Sequence, residues 1–284
     1  MQNNFPIRLI SSTLEGVHKA ATNCFGKCWL ILRLTTGVMI GCGDFSTTAL
    51  YAADTNAIAA HAEKVFNEAQ RLIRQQPTNV ANLVQLSAAA FNWAELARKD
   101  AQRAEIANHG VDAAREAIQR DPKSAAAHYW LGMNLGQLAR TKTLGALHLV
   151  RQMEDEFKQA LQLDPKVDYA GPDRSLGYLY RDAPGWPTSI GSKKKAREHL
   201  DRAVQLHPDF PDNQLALLET LFDWDDTQGF ARNFAAVEKS IAEARQKFTG
   251  PDWEQSWVDW NSRWAKLKNS EPGKSAAQAL KHGK

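Results

Sequence analysis

Two arginines and a tyrosine carry the most specific chemical signal in this 284-residue sequence. Arg174, Tyr178 and Arg181 stand four and then three residues apart, so on a helix they share one face. A guanidinium offers a planar fork of donors matched to a carboxylate, and aromatic rings supply an apolar wall beside it. Such a face suits a small apolar or anionic ligand. Asp173 and Asp182 stand close in sequence, so intramolecular ion pairs are the competing expectation for both arginines.

Other chemistries find little support. His61, His109, His128, His148, His199 and His207 are spread through the body of the chain, and none falls in a His-Glu-x-x-His or comparable metal spacing. There is no Gly-x-Ser-x-Gly elbow and no phosphate-binding glycine loop. Glu154-Asp155-Glu156 reads as acid near a helix start, where the helix dipole favours it. Lys193-Lys194-Lys195 is the one basic run, and it opens a helix that also carries Glu198 and Asp201. A nucleic-acid stripe needs many more cations to neutralise phosphates. The expectation is a binding protein, not an enzyme, with no cofactor, no metal and no nucleic-acid partner.

The elements that must position these residues repeat. Pro77, Pro122, Pro165 and Pro208 are spaced 45, 43 and 43 residues apart, and each closes a helix of apolar periodicity, as in Phe157, Ala160, Leu161 and Leu200, Ala203, Val204. Proline ends a helix because it lacks the N–H and disfavours helical geometry before it. After each proline a second helix begins. Leu131-Gly132 and Leu176-Gly177 fall at matching places, with Leu86 and Leu217 in the outer units. The order resembles the tetratricopeptide pattern, whose unit is about 34 residues. The extra residues are expected between the paired helices, at Thr141–Leu149 and Arg181–Ser192, and Asp182–Gly191 reads as a turn-rich loop. Strand signals are absent. The fold class is therefore all-α, an α-α superhelix of about four extended 43–45-residue helix-pair repeats with C-terminal capping helices. Projected onto this solenoid, the concave face carries Asn92, Tyr129, Met133, Gln137, Arg174, Tyr178 and Arg181.

The ends read differently. Residues 1–53 hold Arg8, Lys19, Lys27 and Arg33, then the short apolar run from Leu34 to Cys42, too short to span a bilayer. This is a secretory pattern. Met39-Ile40-Gly41-Cys42 approximates a lipobox, with Cys42 the lipidated residue, and Leu50-Tyr51-Ala52-Ala53 offers cleavage before Asp54. Cys24, Cys28 and Cys42 all lie here, so a disulfide framework in the body is excluded. The formal charge of +3 falls to +1 without residues 1–53 and to zero for a chain starting at Cys42. Residues 54–250 form the solenoid. In 251–268, Trp253, Trp257, Trp260 and Trp264 share one helical face, as a cap over the last repeat requires. From Asn269 to Lys284 the chain is polar and is expected to be disordered.

A closer resemblance rests on Tyr129-Trp-Leu-Gly132, Ala139-Arg140, Gly145, Ala160–Pro165, Gly171-Pro172, Leu176-Gly177, Pro184-Gly185-Trp-Pro187 and Lys194-Lys195-Ala196. In their order and spacing, over about residues 57–245, the chain resembles the T-component lipoproteins of tripartite ATP-independent periplasmic (TRAP) transporters. It is also similar to the regulator-of-microtubule-dynamics proteins. The resemblance implies a lipid-anchored helical scaffold in the bacterial periplasm or envelope, partnering a solute-binding protein, with a pore or cavity for a small ligand and oligomerisation left open. An intracellular adaptor gripping peptides is the alternative; it needs no export segment and no lipid on Cys42.

Overall fold

The computed structural model describes residues 45–142 and 146–282, with side-chain surroundings given for 56–142 and 146–281. The targeting expectations for residues 1–44, Cys42 among them, lie outside the described residues. Among the described residues there are eleven α-helices and no strand; a lone backbone bridge joins Gly185 and Gly191.

The chain enters through α1 (Phe45–Gln75). Four antiparallel helix pairs follow: α2 (Val80–Glu95) with α3 (Asp100–Arg120), α4 (Ala125–Arg140) with α5 (Ala146–Leu163), α6 (Gly171–Asp182) with α7 (Lys193–Leu206), and α8 (Pro211–Asp223) with α9 (Thr227–Lys247). A single helical turn, Pro251–Trp253, leads into α10 (Glu254–Asn269), and α11 (Glu271–His282) closes the described chain. Each pair starts after one of the periodic prolines, as the sequence pattern requires. Asn79, Ser124, Ser192 and Asp226 each accept a backbone N–H at a helix start, which satisfies donors the helix itself leaves unpaired.

The first helices of the pairs form an inner layer and the second helices an outer one. Leu86, Leu131, Leu176 and Leu217 are all buried at equivalent places. At Gly132 the approach is close: a Cβ there would sit 2.5 Å from the Phe157 ring of α5. Gly177 meets Leu200 of α7 in the same way, at 2.6 Å.

The extra length of the repeat is distributed unevenly. In the first and last pairs only short turns separate the helices, and the length sits in α3 and α9, each of 21 residues. In the third pair it sits in the expected loop, residues 183–192. Thr141–Leu149 is in part helix, since α5 begins at Ala146.

Two departures stand at the joints. Before α6, Asp168, Tyr169 and Ala170 all adopt positive φ, 48°, 55° and 64°, a left-handed run that costs about 1–2 kcal/mol per non-glycine residue. At the C-terminus, residues 269–284 were expected to be a disordered polar tail, and for Glu271–His282 the structure corrects this: α11 packs on α9 and α10 and buries Ala276. Its few apolar side chains find a surface only after α10 has docked, which local composition does not display. The turn before α10 also touches α1, where His61 Nε2 lies 2.8 Å from Asp252 Oδ1.

Gly132→Val tests the helix contact. Valine is the better helix former, yet overpacking a close core contact costs about 1–3 kcal/mol. A lower melting temperature is expected; an unchanged one means that the buried Phe157 ring moves aside at no cost.

Candidate functional site

The residues expected on an open concave face are largely interior. Tyr129, Met133, Gln137, Arg174 and Tyr178 are buried, while Asn92 and Arg181 are half-buried. Apart from Asn92, their polar groups are engaged within the chain, and this corrects the expectation of a free ligand-binding row. Tyr129 donates to Asp168 Oδ2 at 2.7 Å. Met133 Sδ accepts from Ser175 Oγ at 3.7 Å. Gln137 Nε2 donates to Glu95, which also takes Arg140 at 3.0 Å. Asn92 keeps a buried carbonyl oxygen with no hydrogen bond among the described residues. The physical reason is close packing: residues of neighbouring inner helices, such as Met133 with Ser175 and Tyr129 with Gly171, meet one another instead of facing solvent.

Arg174 is the most committed of the set. Its guanidinium is fully buried and donates to Asn213 Oδ1 at 2.8 Å, to the carbonyl of Tyr169 at 3.1 Å and to the carbonyl and carboxylate of Asp168 at 3.3 and 3.1 Å. Its Nε lies 3.1 Å from Asp212 Oδ2, and the group sits over the Phe210 ring at 5.2 Å. Burial alone pulls its proton affinity down, but Asp212 and Asp168 outweigh that and raise it. The ion-pair expectation holds with different partners: Asp173 binds His199 and Arg202 instead. Arg181 pairs with Asp182 as expected, with Nε 2.5 Å from Oδ1 and Nη2 2.9 Å from Oδ2, and it covers the Tyr178 ring at 4.7 Å.

The residue that organises this face comes from α10. Arg263 donates to Glu219 with Nε and Nη2, both at 2.8 Å, and to Asp212 Oδ1 at 2.5 Å, Asp259 Oδ2 at 2.9 Å and the Tyr178 hydroxyl at 2.6 Å. Tyr178 and Glu219 are also joined through the hydroxyl, at 3.5 Å. Burial pushes the Tyr178 phenol well up, so it stays protonated. Burial would raise Glu219 too, but Arg263 holds it below the usual carboxylate range. Asp259 goes the other way, pushed up to about 7 by burial and then by Asp212 and Glu219, against the pull of Arg263.

The four tryptophans anchor the same helix. Trp260 is buried against Phe210 and Phe248, with centroids 5.5 and 5.9 Å apart, and Trp264 meets Phe234 at 4.8 Å. Trp257 Nε1 donates to the Phe248 carbonyl at 2.6 Å, and Trp253 packs on Phe248 at 4.4 Å. The cap therefore covers the inner face of the third and fourth pairs, not only the end of the array. Sequence reasoning missed Arg263, Asp212, Glu219 and Asp259. The available signal was an arginine at three residues past Trp260, inside the aromatic stripe. Among the described residues no group of His, Cys, Asp and Glu is placed to hold a metal ion, and no helix is long and apolar enough to cross a membrane.

Two measurements check this network. Arg174→Met leaves Asp168 without its cation and Asp212 with Arg263 alone, and stability is expected to fall by about 3–5 kcal/mol in denaturant unfolding; a fall under about 1 kcal/mol means that the carboxylates rehydrate freely. Asp259, raised above its ordinary 3.8 to about 7, keeps its proton longer folded than unfolded. Its contribution is fully present below about pH 4 and is lost as pH rises through 7. Asp259→Asn is therefore expected to melt above the parent at pH 8, with the difference shrinking by pH 5; a constant difference contradicts the assignment.

Comparison with known proteins agrees with this architecture. A family model described as regulator of microtubule dynamics protein 1-3 matches residues 50–170, less than half of the chain. No curated protein sequence matches. Among solved structures, a thermophilic TPR protein of Thermus thermophilus is similar at 17% identity and a TM-score of 0.52, over 77% of this chain and 93% of that one. MamA aligns at 15% identity and a TM-score of 0.42, over 72% and 98%. By fold this chain is a tetratricopeptide-like helical repeat protein.

Proposed function

We propose that the chain is a non-enzymatic, exported binding scaffold whose partner is a protein, namely the solute-binding protein of a TRAP-type transporter. One observation carries the protein-binding part. The loop between α6 and α7 presents Trp186 almost fully to solvent, 89% exposed, on a backbone that is held in place. Gly191 N–H donates to the Pro184 carbonyl at 2.9 Å, Thr188 to Gly185 at 3.1 Å and Ser192 to Tyr180 at 2.8 Å. An indole presented outward from a hydrogen-bonded loop meets a partner without the cost of ordering that backbone, and tryptophan is enriched among residues that dominate interfaces. The Pro184-Gly185-Trp-Pro187 sequence of this loop is among the motifs that resemble the T-component lipoproteins. The N-terminal pattern of residues 1–53 supports export, with either lipidation at Cys42 or cleavage before Asp54. The anionic-ligand role for Arg174 and Arg181 is not carried forward, because both are neutralised within the chain.

Crosslinking in the native cells is expected to join the chain to a solute-binding protein, with Trp186→Ala reducing the yield several-fold at unchanged melting temperature. An equal yield from the variant removes Trp186 from the interface. Mass spectrometry of the cell-derived protein is expected to give a start at lipidated Cys42 or at Asp54. An unprocessed Met1 overturns export and leaves the intracellular adaptor.

A further inference from the structure

The inner face of the third and fourth pairs is short of positive charge on its own. The turn before α6, together with α6 and α8, brings Asp168, Asp182, Asp212 and Glu219 around only Arg174 and Arg181. Asp212 is fully buried, and both Glu219 oxygens are taken by Arg263. The missing cation is thus imported from α10. Trp260, one turn before Arg263, fills the apolar wall made by Phe210 and Phe248. The segment that delivers this helix runs through Gly250, at φ 91° with open space where a side chain would be.

We propose that this face is a docking site for a helix bearing tryptophan and arginine three residues apart, filled by the chain's own α10, and that the protein partner enters by presenting such a helix in its place. The inference rests on the protein-binding reading above. Charge complementarity selects the occupant. A helix without the arginine leaves Glu219 without the cation that takes both its oxygens, and leaves Asp212 to Arg174 alone, which disfavours it. A helix with the arginine but no indole leaves the aromatic wall unfilled. The tethered α10 competes at an effective concentration of the order of millimolar, so the site opens only to a partner that binds well.

A labelled peptide of residues 251–269 tests this by fluorescence anisotropy. It is titrated into the full chain and into full-chain Arg263→Ala, beside a peptide carrying the same substitution. The parent peptide is expected to bind the variant chain about tenfold or more tighter than the parent chain, because the internal competitor has lost its anchor. The substituted peptide is expected to bind the variant chain at least about tenfold more weakly than the parent peptide does. Equal binding of the two peptides, or no binding of either to the variant chain, overturns the proposal. Should the variant chain lose its helicity, hydrogen exchange on the unmutated chain decides: excess parent peptide is expected to speed exchange in α10 while α8 keeps its protection, and unchanged α10 exchange overturns the proposal. Neither experiment uses the native partner, so failure of this site shows in the titration, and failure of the protein-binding reading shows in the crosslinking.

Discussion

The buried pairing of Arg174 with Asp212 and Asp168 is the constraint on which the C-terminal half of the molecule depends. One guanidinium joins a helix of the third pair, a helix of the fourth and the turn that links the second pair to the third. A charge with no exposed surface persists only where its donors are used up. Here the two terminal nitrogens donate to the Asp168 carboxylate, two backbone carbonyls and an asparagine oxygen, and Nε lies at ion-pair distance from Asp212. Asp212 is shared between Arg174 and Arg263, which extends the arrangement to α10. The placement of the cap is thus a property of the same network and not a separate packing event.

That network also explains how a left-handed turn survives at Asp168–Ala170. Three consecutive non-glycine residues at positive φ are unfavourable by themselves. The carbonyls that this turn exposes are the ones Arg174 and Asn213 bind. Tyr169 stacks on Phe210 with centroids 4.6 Å apart, so the turn is held from its backbone and from its ring. Polar satisfaction and aromatic packing offset the conformational cost together.

Much of the architecture was legible in the sequence. The proline period placed the helix pairs, and Leu131-Gly132 with Leu176-Gly177 marked the close helix contacts, because those features are local and repeat. The four indoles at 253, 257, 260 and 264 identified a capping helix. The site was less legible. Projection onto a repeat told which positions face inward, but not that inner helices would press Tyr129, Gln137 and Arg174 into the interior. Asp212 looks like an ordinary acid at a helix start, and Arg263 like a surface cation. Their meeting joins residues 51 apart, and no periodicity reports such a contact. The helix at Glu271–His282 was hidden for the same reason, since its partner surface is made by other elements.

The left-handed turn has a consequence for how the chain acquires its structure. Repeat arrays are usually treated as rows of units that interact only with their immediate neighbours, so that folding spreads from any point. Here the joint between the second and third pairs is completed by Asn213, which belongs to the fourth. That joint is therefore tied to a helix beyond the two pairs it connects. The third pair, the fourth pair and the cap are thus bound by one set of contacts, and the second pair reaches that set through Tyr129 on Asp168.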